Sequence, residues 1–258
     1  MIFRSIVILC ALSACAATAE TRPKSTPPPQ PVETPSPAPA SPELDLKRAH
    51  SLLKLGQTKK ALKVLQKWEN AKEAPAVLLH TLGRLRAASN QLVPAIKLYE
   101  RALAKEPKRR WRIELAAIYD FSGRSNDAIE LYVALLAEQE DNALRRELGL
   151  TLLLAKEPGR AIPHLKKSLS VKPNLDNRAE LALALCYAEQ FSEADQTLRD
   201  GTKSSADGLY TPAAIGEVIQ CLGDPVATLD LVKSIQSRLD AGLYQRLLEA
   251  LSRQAHTN

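Results

Sequence analysis

The chain has 258 residues, 45% of them hydrophobic but only 4% aromatic. Its 35 Lys and Arg against 29 Asp and Glu leave a formal charge of +6, too dilute over a chain this size to argue for nucleic acid. Alanine and leucine dominate and no stretch alternates as a half-buried strand would. A Gly-x-Ser-x-Gly elbow, a phosphate loop and a Cys-x-x-Cys are all missing. The composition points to an all-helical fold, and the missing motifs point away from an enzyme, with no cofactor or small-molecule substrate expected.

In chain order, Met1-Ile2-Phe3-Arg4 carries one positive charge, and Ser5 to Leu12 is an uncharged, mostly apolar run. That run is far shorter than the roughly 20 residues a permanent membrane span needs, so a cleaved export signal fits it. Leu12-Ser13-Ala14-Cys15 follows directly and resembles the lipobox of bacterial lipoproteins. The resemblance implies a signal peptide over 1–14, cleavage after Ala14, and lipid attachment with acylation at Cys15. Ala16 stands after that cysteine; by resemblance to Gram-negative sorting, the absence of Asp there implies the outer membrane, facing the periplasm. The alternative is an ordinary signal cut after Ala17-Thr18-Ala19, which would release a soluble periplasmic protein.

A tether comes next. Nine prolines lie between Pro23 and Pro42 among Thr, Ser and Ala, a composition that buries no core and prefers solvated polyproline-II geometry. Residues 15–42 would reach on the order of 80 Å at ~3.1 Å per residue. Of the four cysteines, Cys10 leaves with the signal and Cys15 takes lipid, so Cys186 and Cys221 remain for the folded part. Both fall on first helices of neighbouring repeats, a spacing expected to be too wide for a disulfide. Two buried thiols packed as small hydrophobes are expected instead.

The folded part repeats. Alanines recur at Ala61, Ala95, Ala128, Ala161, Ala194 and Ala227, and a large apolar residue stands four positions after each, at Leu65, Tyr99, Tyr132, Leu165, Leu198 and Leu231. Twelve positions before each alanine stand Ala49, Gly83, Ala116, Gly149, Ala182 and Ile215, five of the six small. This is the pattern of a helical hairpin, in which a small residue lets the second helix approach and the bulky one fills the groove a turn later. Gly56, Gly123 and Pro158-Gly159 fall where hairpins must turn. Pro107 and Pro173 close units by stopping the second helix.

Period, small positions and terminal proline together resemble the tetratricopeptide repeat (TPR); the Thr-Pro-Leu-His signature of ankyrin repeats is missing. The resemblance implies an all-α, right-handed superhelix of about six helix-turn-helix units over 43–239, with a capping helix and tail over 240–258. The end units depart from the pattern: Arg48 stands where a large apolar residue is usual, and Pro212 falls inside the expected first helix of unit six.

The TPR register lines the concave face with first-helix residues. These include Val77, His80, Arg84, Ile113, Ala117, Arg146, Leu150, Leu153, Ala179, Leu183 and Cys186. An apolar stripe there is expected to serve as a groove for an extended or helical segment of a partner protein; a register shift, or closure of the superhelix, would instead make these residues core. The repeated Lys and Asn with which some TPR domains clamp C-terminal carboxylates are missing. Lys108-Arg109-Arg110-Trp111-Arg112 could meet anionic headgroups or an acidic partner, though such a run is ordinarily a solvated helix start. His50, His80, His164 and His256 are scattered without metal-ligand spacing.

Lipidation signal, tether and about six TPR units resemble the TPR-type pilotins, lipoproteins that help the type IV pilus secretin assemble in the outer membrane. The resemblance implies a membrane-anchored adaptor with a protein partner such as a pilus secretin. A scaffold that recruits cell-wall enzymes is the alternative, and the long tether suits it. A periplasmic enzyme is the third reading, disfavoured by the missing site.

Overall fold

The computed structural model describes residues 41–203 and 209–255. The expected signal peptide, Cys15, the tether up to residue 40 and the tail with His256 lie outside them. Among the described residues there are thirteen α-helices and no strand. The chain divides into two compact units, residues 1–105 and 106–258.

In the first unit, α1 (Pro42–Lys54) and α2 (Thr58–Leu65) form one hairpin, and α3 (Ala76–Ala88) and α4 (Leu92–Lys105) a second. Ser41 starts α1, its hydroxyl facing the Leu44 amide, with Pro42 in the first turn where its missing N–H costs nothing. Asp45 closes the first hairpin: it accepts from Trp68 Nε1 at 2.9 Å and pairs with Lys67 at 2.7 Å. Burial alone would raise this carboxyl, but the bonds from Lys67 and Trp68 hold it below its ordinary range.

The second unit contains α5 (Arg109–Phe121), α6 (Ser125–Glu138), α7 (Asn142–Leu154), α8 (Pro158–Val171), α9 (Leu175–Tyr187), α10 (Phe191–Arg199), α11 (Pro212–Leu222), α12 (Pro225–Ser234) and α13 (Ala241–Ala255). Here α5–α6, α7–α8 and α9–α10 are antiparallel hairpins, α7 packs on α6, and α9 packs on α8. Asp141 and Asn174 cap α7 and α9 by accepting from first-turn amides.

The packing follows the repeat. Ala61, Leu65, Ala95, Tyr99, Ala128, Tyr132, Ala161, Leu165, Ala194 and Leu198 are all buried. Gly83 and Gly149 are small by necessity: a Cβ at Gly83 would sit 2.9 Å from the Tyr99 ring, and one at Gly149 2.7 Å from Leu165 Cγ. The sixth unit departs in register. Ala227 is exposed, and the inward positions are Thr228, Leu231, Val232 and Ile235. Pro212 does not interrupt a helix; it opens α11 at its first turn, and that helix has 11 residues where α9 has 13.

The turns are more regular than the glycines suggested. Left-handed residues stand at Gly56, Asn90, Gly123, Lys156, Glu189 and Gly223. After each of the first five, the next amide bonds back to the carbonyl five residues earlier, as Gln57 to Leu52 at 2.9 Å and Arg124 to Tyr119 at 2.8 Å. This is a Schellman end repeated along the chain. Pro158-Gly159 is not the fourth turn, as expected, but the start of α8; the turn residue there is Lys156.

Candidate protein-binding surface

The expected groove residues fall on three first helices of the second unit, with Val77 and Arg84 on α3 of the first. In the first unit Val77 and Arg84 are exposed. His80 between them is buried, its ring edge-on to Tyr99 with centroids 5.2 Å apart, so it belongs to the core.

In the second unit the stripe divides. Ala117 is exposed, and Ile113, Arg146 and Leu150 are half-buried. Leu153 and Leu183 are 9% and 8% exposed and present almost no area to a partner. Ala179 and Cys186 are still more deeply buried. The open part of the stripe is therefore carried by α5 and α7.

Arg146 is committed within the fold. Its guanidinium makes a two-pronged pair with Glu180 of α9, Nε to Oε2 at 2.7 Å, and also meets Glu147. Burial would lower its pKa, but Glu180, Glu147 and Asp176 carry it above the ordinary value, so it stays charged. The pair lies beside a polar cleft of about 370 Å³ lined by Asn142, Ala143, Glu147, Lys172 and Asn177, among others.

The basic run at the start of α5 is structural. Arg112 grips Glu138 at the end of α6 at 2.5 and 2.6 Å, and Arg109 donates to the Gln139 carbonyl at 3.3 Å. Lys108 stacks on the Trp111 ring and pairs with Glu106. Lys108 and Arg110 are the exposed members, Arg110 beside Glu114.

A feature unmarked by the sequence reading lies next to the open stripe. Each of α5, α7 and α9 carries a bulky apolar residue at its end, just before the turn: Phe121 at 59%, Leu154 at 38% and Tyr187 at 47% exposure. Their spacing of 33 residues is the repeat itself, and that was the available signal. Large apolar residues kept in water at one register position are unusual for a solvated surface. Ala117 and Phe121 lie one turn apart on α5, as Leu150 and Leu154 do on α7.

Cys186 and Cys221 are bonded, with Cα atoms 6.2 Å apart, inside the usual range for a disulfide. The expectation of two free thiols is overturned because α11 packs along α9, first helix against first helix, closer than the repeat spacing implied. Among the described residues, no three His, Cys, Asp or Glu side chains gather where they could hold a metal ion. No helix among them is long and apolar enough to cross a membrane.

No protein-family model matches the chain, and no curated protein does. Solved structures do. MamA of strain MSR-1 shares 18% identity over 63% of this chain and 95% of its own, with a TM-score of 0.56. The C-terminal part of a TPR repeat-containing protein from Cytophaga hutchinsonii shares 18% over 77% of this chain and 83% of its own, with a TM-score of 0.58. At such identities the likeness establishes the fold, which is that of TPR proteins.

Proposed function

We propose that this chain is an exported adaptor that holds a partner protein on the α5–α7 surface and is anchored through a lipid on Cys15 in the outer membrane, facing the periplasm. The observation that carries the reading is the set of exposed apolar residues Ala117, Phe121 and Leu154, with the half-buried Leu150, repeated with the period of the fold. The Cys186–Cys221 bond supports export, since structural disulfides persist in oxidising compartments. Anchorage would raise the local concentration of the adaptor near a membrane-bound partner, and the tether would set its reach.

Within that reading, the finer assignment is a pilotin-like factor that shields an apolar segment of an unassembled pilus secretin. It is supported by the resemblance of the whole arrangement to TPR-type pilotins. The second reading, a scaffold that recruits cell-wall enzymes, is favoured by the nine prolines between Pro23 and Pro42, more reach than delivery to the same membrane requires.

Leu150→Glu with Ala117→Glu tests the surface. Ala117 is exposed and Leu150 only half-buried, so helical content should survive while partner capture is lost. In the same strain, loss of surface pili with the secretin left monomeric supports the pilotin assignment. Altered wall peptides with a normal secretin multimer support the scaffold and retire the pilotin. Undiminished function in both assays would refute the surface. Cys15→Ser separately tests the anchor, and fatty-acid labelling that persists would refute it.

A further inference from the structure

Helix α11 is a first helix that has not closed on its second helix. The left-handed turns recur every 33 residues from Asn90 to Glu189, but the last interval, from Glu189 to Gly223, is 34 residues. The inward alanine position moves by the same 34, from Ala194 to Thr228. In this register the small first-helix residue, Gly83 in the second hairpin and Gly149 in the fourth, becomes Gly216. The bulky residue sixteen positions on, Tyr99 and Leu165 in those hairpins, becomes Val232. Gly83 and Gly149 are pressed against Tyr99 and Leu165, yet a Cβ on Gly216 would meet nothing within 4 Å.

A cleft lies on the side of α11 that carries Gly216. It measures about 340 Å³, with Gly216, Ile219 and Gln220 of α11 on one wall and Thr228 of α12 with Leu247 and Leu251 of α13 on the other. The Thr228 hydroxyl is buried there, the residue 1% exposed, with no hydrogen-bond partner.

What α11 does instead is lie along α9, where the Cys186–Cys221 bond holds it. Ala179, Leu183 and Cys186 of α9 are 1%, 8% and 1% exposed. They are the register equivalents of Arg146, Leu150 and Leu153 on α7, and of Ile113, Ala117 and Asp120 on α5. Ala117 and Leu150 remain open or half-open, whereas Leu183 is covered. The stretch that is masked is thus the continuation of the surface proposed above.

We propose that α11 is an internal occupant of the partner-binding face, clipped there by the Cys186–Cys221 disulfide, and that reduction lets it swing onto α12 and opens Ala179 and Leu183 to the partner. The partner would present an amphipathic helix of the same kind as α11, whose inward residues Ile215 and Val218 lie one turn apart. A protein dithiol is the reductant. Its thiolate attacks Sγ of the half-buried Cys221, forming a mixed disulfide and releasing Cys186 as a thiolate that takes a proton. Its second thiol then resolves the mixed disulfide, so two electrons and two protons pass to the cysteine pair and the dithiol becomes a disulfide. Closure would bring Gly216 across the cleft toward Thr228. The partner's role rests on the proposed function; the movement of α11 does not, and it is tested without a partner.

The test is alkylation by N-ethylmaleimide of the full chain in native buffer, before and after a phosphine reductant, with hydrogen exchange measured alongside. The disulfide predicts no labelling of Cys186 before reduction. After reduction, Cys186 should react at least about tenfold faster than a thiol left buried under α11, while α7, α8, α12 and α13 keep their exchange protection. Cys186 that stays blocked in the reduced, folded protein overturns the proposal. Labelling that comes with loss of α12 and α13 protection also overturns it, because the end of the chain has then unfolded. Gly216→Leu adds an independent check: it should leave the oxidised form unaffected, since the space there is open, and should suppress Cys186 labelling after reduction by blocking closure. Labelling at the undiminished rate would refute closure on α12. If α11 moves as described but partner capture ignores the redox state, the binding face is what fails.

Discussion

The row of left-handed turns gives a prediction in which one geometry demands opposite outcomes at different positions. Gly56 and Gly123 take φ of 71° and 78°, while Lys156 and Glu189 take 62° and 61° with side chains that disfavour it. A left-handed L-residue costs roughly 1–2 kcal/mol in backbone strain. Replacing it by glycine removes that cost but raises the entropy of the unfolded chain by about 0.4–1 kcal/mol. The balance is a gain of about 0.5–1 kcal/mol each for Lys156→Gly and Glu189→Gly. A Cβ at Gly123 would touch nothing within 4 Å, so Gly123→Ala isolates the backbone and should lose about as much as the others gain. Asn90→Gly should change little, because asparagine tolerates this region. Urea and thermal unfolding followed by circular dichroism would read the ordering, with shifts of roughly 2–4 °C per kcal/mol for a protein of this size. Destabilisation by Lys156→Gly and Glu189→Gly, as expected of glycine in an ordinary helix, would refute the reasoning.

Other consequences follow from the packing. Gly149→Ala should destabilise despite the better helix propensity of alanine, by up to about 2 kcal/mol, because its Cβ would lie 2.7 Å from Leu165 Cγ. In that background Leu165→Ala should cost less than it does alone, and a full additive cost by urea titration would contradict the contact. His164 is half-buried with Nδ1 unpartnered, and burial together with Arg145 and Arg160 lowers its pKa from the ordinary 6.5. The unfolded chain therefore binds this proton first, so stability should fall as the pH drops below about 6.5. His164→Gln should flatten that limb of a stability-against-pH profile, and an unchanged profile would place the effect elsewhere. Leu183→Glu should unfold or strongly destabilise the oxidised protein, by roughly several kcal/mol, where Leu150→Glu leaves its helix signal intact. Equal tolerance of the two would refute the burial of α9.

How much of this is legible in the sequence depends on whether a feature is local. The hairpins are, because the alanine at positions such as Ala95 and the bulky residue at Tyr99 follow directly from helix geometry. Turns at Lys156 and Glu189 are not, since no residue type marks a left-handed position that the packing of both helices imposes. In the sixth unit Ala227 continues the period of 33 and misleads by one residue, because the turn at Gly223 has already lengthened the interval to 34. The disulfide and the burial of Leu183 depend on where α11 docks, a long-range choice that the local pattern of residues 212–222 does not encode. The stripe residues of α5 and α7 lie on first helices, as the register implies, but the register alone does not separate the open Ala117 from the covered Leu153. The neighbouring row of Phe121, Leu154 and Tyr187 carries the same period and could have been found by it.

The central claim is that the α5–α7 surface holds a partner protein, and site-specific photo-crosslinking in living cells addresses it most directly. A crosslinker placed at Ala117 or at Leu150 should trap one and the same protein, and one at exposed Lys167 on α8 should trap none of it. Equal trapping from all three positions, or from Lys167 alone, would contradict the account.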